Sequence, residues 1–170
     1  MIILGLDPGT ATTGFGIIKK NKRGIDYVNC GCITTCAGVP MPERLQCIYE
    51  DTKKLITKYN PDVVAVEDLF FFRNVTTVIK VSQARGVLIL AARKKRLPIF
   101  EYKPLQIKRA LTGYGRADKK QMQEMVKNIL SLNDIPKPDD AADGLAIAIC
   151  HANSENLISL KNNPAKINKK

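Results

Sequence analysis

Two short apolar runs, each closed by a carboxylate, restrict this chain more than any other feature. IILGL at 2–6 ends on Asp7, and VVAV at 63–66 ends on Glu67. The second run carries no polar residue, which suits a strand covered on both faces. A sheet layered by helices on both sides provides that cover. A carboxylate buried without a partner or a cation is expensive. The strand ends of open α/β folds are also where ligands bind. Taken singly, Asp7 would read as a turn cap and Glu67 as a surface residue.

The rest of the chain fits the same architecture. Pro8-Gly9-Thr10 makes a turn, and strands are predicted over 14–19 and 27–35. Short turns between the three strands favour antiparallel pairing. A helix should follow Pro42, with Leu45, Ile48, Tyr49, Thr52, Leu55 and Ile56 at helical spacing. Asn60-Pro61-Asp62 ends it. A long helix is expected over 75–95, stopped by Pro98, then a fifth strand over 99–102. Helices are expected over 104–111 and 118–130, and a last one from about Asp139 past Ile149. The reading is an α/β domain over 1–156 with a mixed sheet flanked by helices, and a basic tail over 157–170, expected to be disordered.

The last helix supplies two more carboxylates. In DDAADGLAIAIC, Asp140 and Asp143 stand three apart and share a helix face. That face continues through Gly144 and Ile147, so it should lie against the sheet. Asp139 precedes the helix and reads as its N-cap. Strand alternation sends Asp68 to the face opposite Glu67. Asp7, Glu67, Asp140 and Asp143 form an oxygen-only set suited to a hard cation such as Mg²⁺, with Mn²⁺ as a substitute. Two such ions per site suit phosphodiester hydrolysis.

Charge points to a matching substrate. The chain has 27 Lys and Arg against 16 Asp and Glu, a net charge of +11. An acidic polymer such as nucleic acid is the natural partner. The five cysteines, Cys30, Cys32, Cys36, Cys47 and Cys150, form no CxxC pair, so reduced thiols and no zinc site are expected. His151 is the only histidine, expected to be solvated or to cap a helix. The N-terminal run lacks the basic start of a signal peptide. No run reaches the roughly 18 apolar residues of a membrane span. A soluble, cytoplasmic protein is expected.

Five segments together resemble the RuvC-type Holliday junction resolvases. They are GLDPGTATTGFGII, PDVVAVEDLFFFRN, QARGV at 83–87, FEYKPLQIK and DAADGLAIAICH. The resemblance implies an RNase H-like fold with sheet order 3-2-1-4-5, which would seat Asp7 beside Glu67. It implies that the family's acidic tetrad falls on Asp7, Glu67, Asp140 and Asp143, both as catalytic groups and as metal ligands. It implies a homodimer that nicks two opposed strands of a junction, leaving 5′-phosphate and 3′-hydroxyl ends. A branch-migration motor is the implied partner in recombination and repair. Asp68 departs from the uncharged residue expected there.

The same segments suggest how DNA would be held. Phe70, Phe71 and Phe72 follow Glu67 closely, and aromatics beside a nuclease centre can stack on unpaired bases. By the resemblance, Phe70 aligns with an aromatic that probes the crossover, flanked by Arg73 and Asn74. Gly113 to Arg116 reads as a flexible basic loop, with Arg116 contacting DNA. Asp118 should cap the next helix, with Gln121 completing a capping box. Lys119 and Lys120 then stand in a first turn, where the helix dipole disfavours cations. Lys108 and Lys119 match basic family positions, and both are assigned to DNA contact. The dimer is expected through the helix at 75–95, on the face of Val78, Ser82, Arg85 and Gly86. Two alternatives remain at this point: an RNA-processing nuclease of the same fold, and a junction-binding module without catalysis.

Overall fold

Alternation of side chains along five strands sets the layers of the molecule. The computed structural model describes residues 1–69 and 75–161. Strands β1 (Ile2–Asp7), β2 (Thr12–Lys20) and β3 (Ile25–Thr34) form an antiparallel meander. Helix α1 (Met41–Tyr59) crosses to β4 (Val63–Glu67), which runs parallel to β1. Helix α2 (Val75–Lys94) then leads to β5 (Ile99–Tyr102), parallel to β4. Helices α3 (Pro104–Thr112), α4 (Lys119–Ile129) and α5 (Asp139–Lys161) complete the order. The sheet order is β3-β2-β1-β4-β5, the order implied by the resemblance. This is the RNase H-like mixed sheet.

Each element lies within a few residues of its expected place. The differences sit at helix and strand ends, where fraying blurs boundaries. Helix α5 runs through Lys161, past the domain edge expected at 156, and residues 162–170 lie outside the described residues.

The core has two halves, one on each face of the sheet. Leu4, Leu6, Phe15, Ile17, Val64 and Val66 point one way. They meet Ile48 and Ile56 of α1 and Ala84, Leu88 and Ala92 of α2. Ile3, Ile18, Val63 and Ala65 point the other way, toward α3, α4 and α5. Burial of α1 falls on Arg44, Ile48, Thr52 and Ile56, a strict four-residue stripe. Tyr49 and Leu55 lie at the flanks of that stripe, so the apolar face is narrower than its sequence suggests.

His151 corrects the sequence reading. It is 2% exposed, and its Nδ1 lies 2.8 Å from the Tyr102 hydroxyl. Its helix presses on the sheet along its full apolar length, which brings the ring under β5 beside Phe100. Among the described residues, no helix is long and apolar enough to cross a membrane.

Candidate active site

Period-two alternation places Asp7 on the α5 side of the sheet. Leu4 and Leu6 face α1 and α2, so Gly5 and Asp7 must face α5. Glu67 follows the same rule on β4. Leu6 pairs with Val66 in the parallel ladder, which seats the two terminal carboxylates side by side. The register therefore joins two acids that are 60 residues apart in sequence.

Helix α5 brings the other two. It rests on the backbone of β1 and β2 because glycines leave room for it. A Cβ at Gly5 would collide with the Gly144 carbonyl, and one at Gly16 with the Leu145 amide. A Cβ at Gly14 would strike the Asp140 carbonyl. Gly144 meets this seam from the helix side, against Phe15 and Gly16. With no side chains between them, helix and sheet approach closely, and the first turns of α5 reach Asp7. One carboxylate oxygen from each of Asp7, Asp140 and Asp143 falls within 4.8 Å of the others. Glu67 joins through a hydrogen bond to Asp7.

The cleft has a volume of about 240 Å³. Asp7, Glu67 and Asp143 line it, with Lys108 and Lys119 at its rim and Ile107 and Ala146 among its apolar walls. Lys119 Nζ lies 3.2 Å from Asp139 and 3.6 Å from Asp143. Helix α4 begins on the capping box expected for it: Gln121 N donates to Asp118 Oδ1 at 2.8 Å. That cap fixes the turn from which Lys119 extends.

Crowding of like charge shapes the electrostatics. Asp7 is pushed up to about 8, first by burial and then by the charges and hydrogen bond of its acidic neighbours. Glu67 is also raised, chiefly by burial; its hydrogen bond to Asp7 and the Lys108 charge oppose the rise. Asp143 is raised by burial, with Lys119 opposing. Acids held this way either retain protons or gather cations. The donors are all oxygen, with neither histidine nor cysteine in the cluster among the described residues. Such a set fits a hard divalent ion.

The other sequence candidates separate. Arg116 is exposed in the loop between α3 and α4, outside the lining of the cleft. Phe70 and Arg73, with Phe71, Phe72 and Asn74, lie outside the described residues. Asp139 is the first residue of α5 and pairs with Lys119. It therefore stands inside the first turn, not ahead of the helix as an N-cap. Asp68 points to the α2 side, 3.4 Å from Arg85. The cysteines are free.

Sequence reasoning overlooked two things. The glycine seam was visible as Gly5, Gly14 and Gly16 on alternate strand positions opposite the small residues of α5. Cys32 is the other. It pairs across β2 with Gly14, which pairs with Asp7. Its thiol is pushed up to about 11 by burial, then by Asp140.

Residues 3–151 match the family described as Crossover junction endodeoxyribonuclease RuvC. The chain is 55% identical over 159 residues to the protein of that name from Desulfitobacterium hafniense (strain DSM 10664 / DCB-2), covering 94% of this chain and 96% of that one. It is similar to the Thermus thermophilus RuvC structure, with a TM-score of 0.84 and 33% identity over 92% of this chain and 96% of that one. T. thermophilus RuvC in complex with Holliday junction substrate gives a TM-score of 0.84 at 30% identity, with the same coverage. The chain belongs to the RuvC family of crossover junction endodeoxyribonucleases.

Proposed function

We propose that this endonuclease resolves four-way junctions by hydrolysing one phosphodiester in each of two opposed strands, with Asp7, Glu67, Asp140 and Asp143 as its catalytic, metal-holding groups. The observation that carries this reading is the cluster itself. Acids from β1 and α5 lie within 4.8 Å of one another, with Glu67 of β4 bonded to Asp7, in a cleft rimmed by two lysines. Divalent ions held there, Mg²⁺ or Mn²⁺ and two per site, would polarise the scissile phosphate and favour attack by water. The products carry 5′-phosphate and 3′-hydroxyl ends.

The chain's own residues do the rest. Lys108 and Lys119 offset the charge of the incoming phosphate and hold it over the acids. Arg116, on its exposed loop, contacts the backbone of a neighbouring arm. Phe70 stacks on bases at the crossover and Arg73 anchors the strand beside it. Residues 1–156 make up the nuclease domain and 157–170 a basic tail. The protein works on DNA in the cytoplasm, beside a branch-migration motor.

Paired nicks need a dimer, because a two-fold substrate is matched by a two-fold enzyme. Helix α2 offers the surface. Ile79 and Leu90 are 55% and 52% exposed. With the exposed Gln83 and Gly86 they form a stripe of 4-3-4 spacing, the seam of a helix pair. Gly86 is informative, because a Cβ there would meet open space within the monomer. A glycine inside a helix costs about 0.5–1 kcal/mol relative to alanine. Close approach of a second helix would offset that cost. This stripe borders the expected face of Val78, Ser82, Arg85 and Gly86 and shares Gly86 with it, while Arg85 turns inward.

The test uses a synthetic immobile four-way junction, a linear duplex and an RNA hairpin, each with and without Mg²⁺. Cleavage confined to the junction and dependent on the metal is expected. Equal cutting of the linear duplex, or robust cutting in excess chelator, would contradict the proposal.

A further inference from the structure

Arg85 and Asp68 stand out in the sequence, one in QARGV and one as a departure from the family pattern, and the cleft accounts for neither. The structure joins them. Arg85 leaves α2 beside the buried Ala84 and reaches the sheet face opposite the acidic cleft, with its side chain 17% exposed. Its Nε donates to the Glu67 carbonyl oxygen at 3.3 Å. Its terminal nitrogen meets Asp68 at 3.4 Å and also bonds the Glu101 carboxylate. Alternation puts both acids on this side, since Glu67 and Tyr102 face the other way. Asp68 N donates to the Tyr102 carbonyl at 2.8 Å, so the ends of β4 and β5 are already joined here.

One guanidinium thus serves three acceptors on two strands, at the level of a catalytic carboxylate. A planar fork with five N–H donors can do this, whereas an ammonium cannot hold the same geometry. The two acids also supply the countercharge that a half-buried cation requires. Sequence separation hides the arrangement: Arg85 is 18 residues from Glu67 and 16 from Glu101.

We propose that Arg85 is a positioning residue for the nuclease reaction. It fixes the main chain at Glu67 from behind the sheet and thereby sets where the Glu67 carboxylate stands in the cleft. Because Arg85 belongs to α2, the seating of that helix is tied to the geometry of the acids. This inference rests on the reading of Glu67 as a member of the site. Residues that orient metal-holding groups change metal affinity or activity by about 10–100-fold when removed.

The experiment compares wild type, Arg85→Gln, Arg85→Lys and Glu67→Gln as full-length proteins. Four quantities are read: kcat and KM on a junction, the Mn²⁺ concentration that half-saturates cleavage, the Mn²⁺ concentration that half-saturates the rise in Tm, and the mass in sedimentation. Arg85→Gln should lower kcat about 10–100-fold with KM nearly unchanged, and raise both Mn²⁺ midpoints. Arg85→Lys should recover part of the loss. All of this should occur at dimer mass. A lower Tm with unchanged kcat and Mn²⁺ midpoints would make Arg85 a purely structural residue and overturn the proposal. So would a loss of kcat seen only together with a loss of dimer mass. Should Arg85→Gln fail to fold, the paired variant Asp68→Asn with Glu101→Gln removes the anions that aim the guanidinium. It should reproduce the shift in Mn²⁺ midpoint, and an unchanged midpoint would overturn the proposal. Glu67→Gln separates the failures. If it cuts normally, the site reading fails; if it is inactive while Arg85→Gln is normal, only the positioning role fails.

Discussion

The two faces of the sheet are packed by different rules. Toward α1 and α2 the strands present Leu4, Leu6, Phe15, Ile17, Val64 and Val66, and large side chains interdigitate. Toward α5 the strands present Ile3, Ile18 and Val63 as well, but beside the acids they present Gly5, Gly14 and Gly16, and there the helix lies on bare backbone. The first face is held by volume, which many apolar combinations can fill. The second is held by contact between backbones that have no rotamers to adjust. A site that needs carboxylates placed to within a fraction of an ångström is better supported by the second. The acids accordingly stand where the strands meet α5, and the bulky half of the core backs the sheet on its other face.

The sharpest way to break this comparison is to change one residue on each face. Gly16→Ala puts a methyl group against the Leu145 backbone, so the helix must shift. Overpacking of this kind costs about 1–3 kcal/mol and occasionally more. We expect Gly16→Ala to lose most cleavage even in its folded fraction. Leu88→Ala, on the other face, should cost about 2–5 kcal/mol of stability. Its folded fraction should cut at nearly the wild-type rate. Urea unfolding and cleavage per folded molecule check both. Equal loss of specific activity in the two variants would erase the distinction.

The second effect is one of charge and pH. Asp7 is held at about 8 in the metal-free fold, against 3.8 in the unfolded chain. Between those values the folded state binds more protons than the unfolded state. Stability of the metal-free protein should therefore fall as pH rises from about 4 through about 8. Glu67 and Asp143 are raised too and act in the same direction. Asp7→Asn should flatten the slope and raise Tm at pH 8 without metal. Saturating divalent cation should flatten the wild-type slope likewise. Thermal melts across pH, with chelator and with Mg²⁺, measure this; a metal-free Tm that climbs over the window would contradict the crowded-acid account.

Smaller effects are expected at the edges. Asp139→Asn removes the exposed one of the two acidic partners of Lys119 and keeps a residue compatible with the helix start. Cleavage should drop a few-fold at most. Gly86→Ala should add about 0.4–1 kcal/mol to the monomer while weakening the dimer. Sedimentation at several concentrations checks it, and unchanged dimer affinity would move the interface away from Gly86.

Much of the fold was legible because its signals are local. Apolar runs, turns at Pro8-Gly9 and Asn60-Pro61, and the capping box at Asp118 each declare an element within a few residues. The acids were legible for a related reason: Asp7 and Glu67 end core strands, and Asp140 and Asp143 share a helical face. The strand order came from the family resemblance rather than from periodicity, which carries no record of which strands meet. What was missed depends on tertiary approach. His151 looked solvated because the hydroxyl that holds it comes from Tyr102 on β5. Arg85 looked like part of an exposed face because its acceptors lie on β4 and β5. The strand glycines carry no signal of their own until the helix that needs them is in place.

The central claim is that four carboxylates do the chemistry while the surrounding basic surface does the binding. One set of parallel assays tests it: cleavage and gel-shift binding on a single immobile junction for Asp7→Asn, Glu67→Gln, Asp140→Asn, Asp143→Asn and Asp139→Asn. Each of the first four should abolish or nearly abolish cleavage while binding persists or tightens, because removing a negative charge eases the approach of phosphate. Asp139→Asn should keep cutting. Normal cleavage by all four tetrad variants would contradict the account outright, and an inactive Asp139→Asn beside an active Asp140→Asn would place the site one residue away on α5.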